Sequence, residues 1–340
     1  MLIFFKMENN FLDKFKGSLI GVAIGDTLGQ PFEGKLREEI RSEFEYVEDF
    51  LWKNKKKFSS YTDDTQLTLH VAEALIKGGG FTMEYLVKEF IKWLEDPPID
   101  PGYGCLTSIK KLKYGISWQK AASNSGGNGT IMRVSPIGLF YCNDLEKLLE
   151  TAEAQSVLTH SHPAATAGAR IMARAVSYLT YQSIEGGLDI DDFLDSIILT
   201  ILDSQKSVWR EFSDGMDLLR NNLDLTIESG LIKFSQLGVN SPYFIEQYLG
   251  KAFVHPYALS TMICSLFIFL KKFKSLEECM FELVTAGGDT DTVGAIGGAL
   301  LGAYYGYSNI PDELISFIKN RNYIIDAAER LYEQFQKRYL

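Results

Sequence analysis

The stretch that decides the fold of this chain is AGGDTDTVG, at residues 286–294. It alternates two carboxylates with two hydroxyls, follows two glycines, and leads into an apolar segment that predicts a helix over 292–305. Asp carboxylates and Thr hydroxyls are oxygen ligands, which hard cations such as Mg²⁺, Mn²⁺ and Ca²⁺ prefer. The stretch therefore indicates one half of a metal site at the start of a helix.

A second acidic stretch of the same style, YTDDTQ, occupies residues 61–66. Asp and Thr are common helix N-caps, so either stretch alone is explained by capping of the helix that follows it. Capping uses only one side chain, however, and the extra like charges are unfavourable unless a cation neutralises them. We therefore predict that the fold brings the two stretches together around metal, although they lie near opposite ends of the chain.

Glycines recur every fourth residue in two predicted helices, one over 10–28 and the late helix over 292–305. The glycines are Gly17, Gly21 and Gly25 in the first helix and Gly294, Gly298 and Gly302 in the late helix. This spacing puts each set on one helix face. Glycine inside a helix costs about 1 kcal/mol relative to alanine, so a stripe of three needs a reason. We predict that the two helices pack closely along these stripes.

Helical periodicity dominates the rest of the chain, and strand-like alternation is absent. Further helices are expected at 64–77, 82–95, 105–114, 144–156, 163–181, 257–270 and 312–337. His255 and Pro256 are expected to begin the 257–270 helix in the way that His162 and Pro163 begin theirs. Residues 31–60, with a basic tract at 53–57, are expected to form a loop. Because no repeat or linker divides the chain, we predict one all-α domain over 1–340.

The composition excludes several functional classes. A net charge of −10 argues against a nucleic-acid-binding surface, which would be basic. The longest apolar run is too short to cross a bilayer, so no membrane partner is expected. The four cysteines form no Cys-x-x-Cys pair, which favours a reducing, cytoplasmic setting without disulfides or thiolate zinc.

Two glycine-rich loops offer backbone N–H groups of the kind that bind phosphate. One is GYG at 102–104, in which an aromatic ring stands beside the donors, and the other is GGNG at 126–129. Each is equally well explained as a plain flexible loop. His160 and His162 precede a helix and are assigned with equal weight to ligand contact or to capping.

Taken in order, the motifs resemble the signature of the ADP-ribosylglycohydrolases, the family of the dinitrogenase-reductase-activating glycohydrolase and of the ADP-ribosylarginine and ADP-ribosylserine hydrolases. The motifs are GVAIGDTLG at 21–29 with Glu33, YTDDT at 61–65, DPGYG at 100–104, NGTIMR at 128–133, THSHP at 159–163 and GGDTDT at 287–292. The resemblance spans about residues 11–306, and residues 186–250 carry no part of it.

This resemblance implies an all-α orthogonal multi-helix bundle with a binuclear Mg²⁺ or Mn²⁺ centre, acting on an ADP-ribosylated protein or a small ADP-ribosyl compound. The implied metal ligands are Thr62, Asp63, Asp64, Asp289, Asp291 and Thr292. The implied catalytic carboxylates are Glu33, Asp63 and Asp291. The residues implied to hold the diphosphate and distal ribose are Asp100, Gly102, Tyr103, Gly104, Gly127, Asn128, Gly129, Thr130, Met132 and His160.

The motifs favour two different types of ADP-ribosyl linkage. The DPGYG motif is nearer the serine-directed or poly-directed members, whereas THSHP is nearer the arginine-directed bacterial members. The oligomeric state is not predicted, and a role for residues 186–250 as a lid over the target protein is neither indicated nor excluded.

Three alternatives compete with this interpretation. The Asp-x-Asp-Thr loop of haloacid-dehalogenase-like phosphatases follows a buried strand, whereas residues 276–286 have a helical pattern. Helical terpenoid synthases carry a third Asp after their Asp pair, but here Leu67 follows Gln66. A catalytically inactive ADP-ribose-binding or structural homologue, which kept the pocket and lost turnover, remains the main alternative.

Overall fold

The computed structural model of the chain describes residues 2–44, 46, 49–50, 60–202 and 207–340. The helices among them are α1 (Leu2–Gly29), α2 (Arg37–Glu43), α3 (Asp63–Gly78), α4 (Met83–Trp93), α5 (Tyr103–Lys113), α6 (Trp118–Ala121), α7 (Ser135–Phe140), α8 (Leu145–Ser156), α9 (Pro163–Thr180), α10 (Ile190–Ile198), α11 (Ser207–Arg220), α12 (Ile227–Phe234), α13 (Ala258–Lys272), α14 (Leu276–Val284), α15 (Thr290–Tyr305), α16 (Asp312–Ser316) and α17 (Arg321–Tyr339). These described ranges contain isolated bridges but no β-strand, which confirms the all-α prediction.

Helices α1 and α15 pack with their backbones in contact. A Cβ added at Gly21 would lie 2.1 Å from the carbonyl oxygen of Gly298, and one added at Gly25 would lie 1.9 Å from that of Gly294. Real Cβ atoms do not approach an oxygen so closely, so only glycine permits this separation of the helices. The prediction of a close glycine seam is confirmed, and the seam places the two acidic stretches side by side.

The remaining helices pack around this seam. Helix α13 is buried over residues 258–270, as the sequence predicts, and α9 and α14 pack against α15. All four cysteines lie in the interior and are unpaired. Within the ranges that the structure describes, no helix is long and apolar enough to cross a membrane.

The 257–270 helix is confirmed as α13, which begins at Ala258, so His255 and Pro256 precede the helix and do not start it. Two other helix boundaries are wrong. The first helix, expected over 10–28, begins at Leu2. The expected 312–337 helix is two helices, α16 and α17, since Asn320 takes a left-handed conformation with φ of 56°.

The expected loop over 31–60 is also partly wrong, because it contains α2. The first turn of α2 is stabilised by Glu39, whose carboxylate accepts a hydrogen bond from the backbone N–H of Leu36 at 2.7 Å. Arg37 is buried and pairs with Glu228 and Glu282, so this segment is tied to the body of the protein. The basic tract at 53–57 lies outside the described residues.

Candidate metal centre and substrate loops

The first acidic turn (Thr62 to Asp64) is held in place by a carboxylate of α1. Asp26 accepts hydrogen bonds from the backbone N–H of Thr62 at 2.9 Å and from the backbone N–H and hydroxyl of Thr65 at 3.0 and 2.6 Å. Asp26 is fully buried and thereby satisfies the amide groups at the start of α3. The carboxylates of Asp63 and Asp64 are therefore not needed as helix caps.

The second acidic turn (Asp289 to Thr292) is held by its backbone. The Gly288 N–H donates to the carbonyl of Lys35 at 2.9 Å, and the Gly288 carbonyl accepts from the N–H of Gly34 at 2.9 Å. Asp289 occupies the N-cap position of α15, but its side chain makes no capping hydrogen bond. This carboxylate is likewise left for another partner.

The two turns meet in one acidic cluster together with Glu33. Carboxylate oxygens of Glu33, Asp289 and Asp291 lie within 4.8 Å of one another. The charge of Asp289 in the second turn adds to the raised pKa of Asp64 in the first, so the two turns lie close together. Throughout the described ranges, no Lys or Arg forms an ion pair with these carboxylates. The prediction that the fold joins the two acidic stretches is confirmed.

Burial and mutual repulsion raise the pKa values of the carboxyl groups in the cluster. Burial raises the pKa of Asp63 to about 8, with the neighbouring charge of Asp26 adding to the effect. Burial, then the charge of Asp289, raises the pKa of Glu33 to about 7. The pKa values of Asp64 and Asp291 lie well above the usual range for the same two reasons. A protein that must carry these groups ionised at neutral pH needs positive charge at this point.

The donor set fits a hard divalent cation. One carboxylate oxygen of Asp64, Oδ2, is buried and has no hydrogen-bond partner among the described residues. An ionised carboxylate in that position is costly unless it is paired or coordinates a metal. The six predicted ligands, which are Thr62, Asp63, Asp64, Asp289, Asp291 and Thr292, are all buried at this cluster.

Glu33 lies at the open side of the cluster and contacts the substrate-loop region. The neighbouring charge of Asp100 adds to the raised pKa of Glu33, so the two carboxyl groups lie close together. Asp100 is one of two non-glycine residues with a positive φ in the described chain, at 49°. Asp100 therefore belongs to the acidic cluster, although the sequence motif associates it with the glycine-rich loop.

The two glycine-rich loops converge on His160. A Cβ at Gly104 would lie 3.0 Å from Nε2 of His160, and Cβ atoms at Gly129 and Gly127 would lie 3.4 and 3.7 Å from it. The first loop also contacts the acidic cluster, since the Gly102 N–H donates to Asp63 at 3.3 Å. The predicted loop residues and the predicted metal ligands therefore form one continuous site.

Other predicted loop residues take different positions. Tyr103 is largely exposed at the start of α5, which leaves its ring free at the rim of the site. The Asn128 amide donates to Asp289 at 2.6 Å, so this residue supports the second acidic turn. Thr130 and Met132 are buried, and the Thr130 hydroxyl donates to the carbonyl of Ala165, away from the loop surface. His162 accepts a hydrogen bond from Ala164 and caps α9.

Three further motif residues have no role that the sequence predicts, namely Asp26, Arg133 and Thr159. Asp26 anchors the first acidic turn, and Arg133 and Thr159 lie behind His160. A charged residue in an apolar helix is the signal that could have identified Asp26, because such a residue needs buried partners.

Comparisons with known proteins identify the family of this chain. The sequence profile of the ADP-ribosylglycohydrolase family matches residues 7–340. The ADP-ribosyl-[dinitrogen reductase] glycohydrolase of Rhodospirillum rubrum is 26% identical over 310 residues, covering 89% of this chain and 90% of that protein. The ADP-ribosylhydrolase ARH3 of Xenopus tropicalis is 27% identical over 354 residues, covering 96% and 97%.

The fold has a counterpart among solved structures. A chain of an ADP-ribosylglycohydrolase-related protein complex superposes with a TM-score of 0.67 at 22% identity, covering 96% of this chain and 99% of that one. At this identity the likeness bears on the fold alone. Since the family profile spans nearly the whole sequence, the chain belongs to the ADP-ribosylglycohydrolase family.

Proposed function

We propose that this protein hydrolyses the glycosidic bond that joins ADP-ribose to a modified protein side chain or to a related small compound. The observation that carries the proposal is the acidic cluster, in which Glu33 and the two acidic turns converge and, in the described chain, form no ion pair with Lys or Arg. The named activities of its relatives, an ADP-ribosyl glycohydrolase and an ADP-ribosylhydrolase, support this choice of substrate.

The proposed cofactor is a pair of divalent ions, Mg²⁺ or Mn²⁺, held by the six oxygen ligands of the two acidic turns. When bound, such ions supply positive charge near the reacting bond and lower the pKa of water. The carboxylates of Asp63, Asp64 and Asp291 would then be ionised despite their burial. The hydroxyls of Thr62 and Thr292 complete a set of ligands that is made only of oxygen, as these ions prefer.

Glu33 is the proposed proton acceptor for the attacking water. It is the member of the cluster on the open side, and its pKa is raised to about 7, close to the value at which a general base works best near neutral pH. Asp63 and Asp291 are the alternative acceptors within the same cluster.

The loops around His160 are proposed to hold the ADP-ribosyl group. Backbone N–H groups of glycine-rich turns bind phosphate without any positive side chain, which suits a protein with a net charge of −10. The exposed ring of Tyr103 at the rim is available to stack on a base or a ribose. This arrangement would place the distal ribose toward the acidic cluster and the diphosphate toward the loops.

The test measures free ADP-ribose after mixing the protein with an ADP-ribosyl-arginine and an ADP-ribosyl-serine peptide. We expect release from at least one peptide with Mg²⁺ or Mn²⁺ present and none with EDTA. Release that EDTA leaves unchanged would contradict the metal part of the proposal. Tight ADP-ribose binding without release from either peptide would favour the inactive ADP-ribose-binding homologue instead. The same experiment decides the linkage.

A further inference from the structure

Arg133 is a fully buried cation that the proposed chemistry does not use. Its guanidinium donates to Oε1 of Gln155 at 2.8 Å, to the backbone carbonyl of Gln155 at 3.2 Å and to the hydroxyl of Thr159 at 2.7 Å, and it contacts Sγ of Cys105 at 3.3 Å. The ring of Phe90 covers it at 4.7 Å. A buried charge with this many partners has one fixed orientation.

Hydrogen bonds of the Nε2 amide group fix the orientation of the Gln155 side chain. Its Nε2 amide group donates to the carbonyl of Thr130 at 3.0 Å and to the hydroxyl of Ser156 at 3.0 Å. The Gln155 Oε1 atom must therefore face the guanidinium, as the structure has it. Both the charge and its partners are fixed, so the position of the Thr159 hydroxyl is fixed as well.

The direction of the next hydrogen bond follows from donor chemistry. Arginine has only donors, so the Thr159 oxygen accepts from Arg133 and its own hydrogen is left to donate elsewhere. Nδ1 of His160 lies 2.8 Å from the same oxygen. The hydroxyl oxygen has a second lone pair, but among the described residues its hydrogen has no acceptor other than Nδ1 of His160. The buried hydroxyl therefore donates to Nδ1, which is an unprotonated acceptor, and the proton of the neutral ring lies on Nε2.

The environment of His160 also disfavours the doubly protonated, charged form of the ring. Burial, and then the charge of Arg133, lowers the pKa of His160 to about 3. The ring is therefore neutral at physiological pH. In the described part of the chain, Nε2 has no protein partner for its hydrogen bond, and it faces the meeting point of the two glycine-rich loops.

We infer that Arg133 and Thr159 are positioning residues, which hold His160 as a neutral imidazole whose Nε2–H donates a hydrogen bond to an oxygen of the bound ADP-ribosyl group. This inference rests on the proposed function for the identity of the ligand. It also explains the glycines at 104 and 129, because a Cβ there would lie 3.0 Å from Nε2 and from the neighbouring Cε1 atom, respectively.

The first test reads the proton on the ring directly and needs no activity. A long-range ¹⁵N–¹H spectrum distinguishes a protonated from an unprotonated ring nitrogen, and a His160→Gln variant assigns the signal among the four histidines of the chain. We expect His160 in the wild-type protein to carry its proton on Nε2 at neutral pH. In Thr159→Val, which keeps the shape but loses the hydroxyl, we expect a mixture of the two tautomers. A wild-type ring protonated on Nδ1 overturns the inference.

The second test measures the affinity for ADP-ribose by calorimetry with Mg²⁺ present. We expect Thr159→Val to bind about tenfold more weakly than wild type, the scale of one hydrogen bond to a charged acceptor. Thr159→Ser keeps the hydroxyl and should restore both the affinity and the Nε2–H signature. Equal affinity in Thr159→Val and wild type, in a variant that melts as a folded protein, overturns the inference.

The two tests separate this inference from the proposed function. A wild-type protein that neither binds nor releases ADP-ribose overturns the proposed function, and with it the ligand assigned to His160. The tautomer of His160 is decided by the spectrum in either case, including the case in which Thr159→Val does not fold.

Discussion

The two acidic turns have similar sequences but are anchored in different ways. The first depends on a side chain of another helix, since Asp26 of α1 receives the amide groups at the start of α3. The second depends on backbone pairing through Gly288 and on the amide of Asn128. In the first turn the Thr62 hydroxyl still caps α3 by accepting from the N–H of Asp64 at 3.4 Å, whereas Asp289 makes no capping hydrogen bond in the second. This difference shows how a fold can leave several carboxylates at helix starts without using them as caps.

The largest expected effect tests whether the two turns serve one centre. Asp63→Asn and Asp291→Asn each remove one charged oxygen ligand from a different turn. We expect either variant to lose ADP-ribose release by about 1,000-fold, because several kcal/mol of charge stabilisation depend on the bound ions, while circular dichroism stays that of a folded helical protein.

Asp191→Asn is the matched control for these variants. It lies in an exposed Asp pair at the start of α10, so its activity should equal that of wild type. Near wild-type turnover in Asp63→Asn or in Asp291→Asn would contradict a shared centre.

The second prediction breaks the backbone anchor of the second turn. Gly288 has φ of 76°, and a Cβ there would lie 2.2 Å from the carbonyl oxygen of Val254. We expect Gly288→Ala to lower the free energy of unfolding by about 3 kcal/mol or more, since left-handed strain and steric overlap add.

Gly250→Ala separates those two causes in a urea titration. Gly250 has nearly the same φ, 73°, but no atom lies within 4 Å of the added Cβ. Gly250→Ala should lower the free energy of unfolding by about 1 kcal/mol, from the left-handed conformation alone. Equal losses in the two variants would show that the close approach to Val254 does not hold the second turn.

The third prediction breaks the side-chain anchor of the first turn. Asp26→Asn presents an NH₂ group to donors that need an acceptor, so we expect about 1–3 kcal/mol of lost stability and about tenfold weaker Mg²⁺ binding. Asn128→Ala makes the corresponding change at the second turn, where the backbone pairing remains. Calorimetric titration with Mg²⁺ should show the smaller loss in Asn128→Ala. The reverse order would contradict the contrast between the two anchors.

The last prediction concerns the pH dependence of stability and tests the charges of the acidic cluster. The pKa values of Glu33 and Asp63 are raised to about 7 and about 8 in the folded state. The folded protein therefore binds these protons more tightly than the unfolded chain does, and stability without cation falls as pH rises from about 4 to about 8. Melting temperatures measured across this range with EDTA should decline, and Mg²⁺ should remove the decline. A melting temperature that rises with pH in EDTA would contradict the account.

Much of the architecture was predictable because it depends on the spacing of glycines and apolar residues along the chain. The glycine stripes of α1 and α15 predicted the seam, and helical periodicity predicted α3, α8 and α13 within a few residues. The helix α2 was missed because distant partners outweigh the local pattern, since ion pairs with Glu228 and Glu282 hold Arg37 in the interior. The break between α16 and α17 has a local cause, which is the left-handed conformation of Asn320.

The candidate site was predictable as a set of residues but not as a set of contacts. The roles assigned to Thr62, Asp63, Asp64, Asp289, Asp291 and Thr292 as metal ligands stay predictions, although the structure brings them together. No local pattern indicates that Asp26 is bonded to residues 36 and 39 positions away. The same holds for Thr130 and Met132, whose motif neighbours line the loop while their own side chains face the interior.

The seam between α1 and α15 has a consequence for how this protein is made. Ser18 of α1 donates to the carbonyl of Ala299, 281 positions later, so the seam cannot close until residue 299 has left the ribosome. Until then the apolar face of α1 has no native partner, and such surfaces recruit chaperones or aggregate. The proposed ions would have no complete binding site before that point, so their loading would follow closure of the seam.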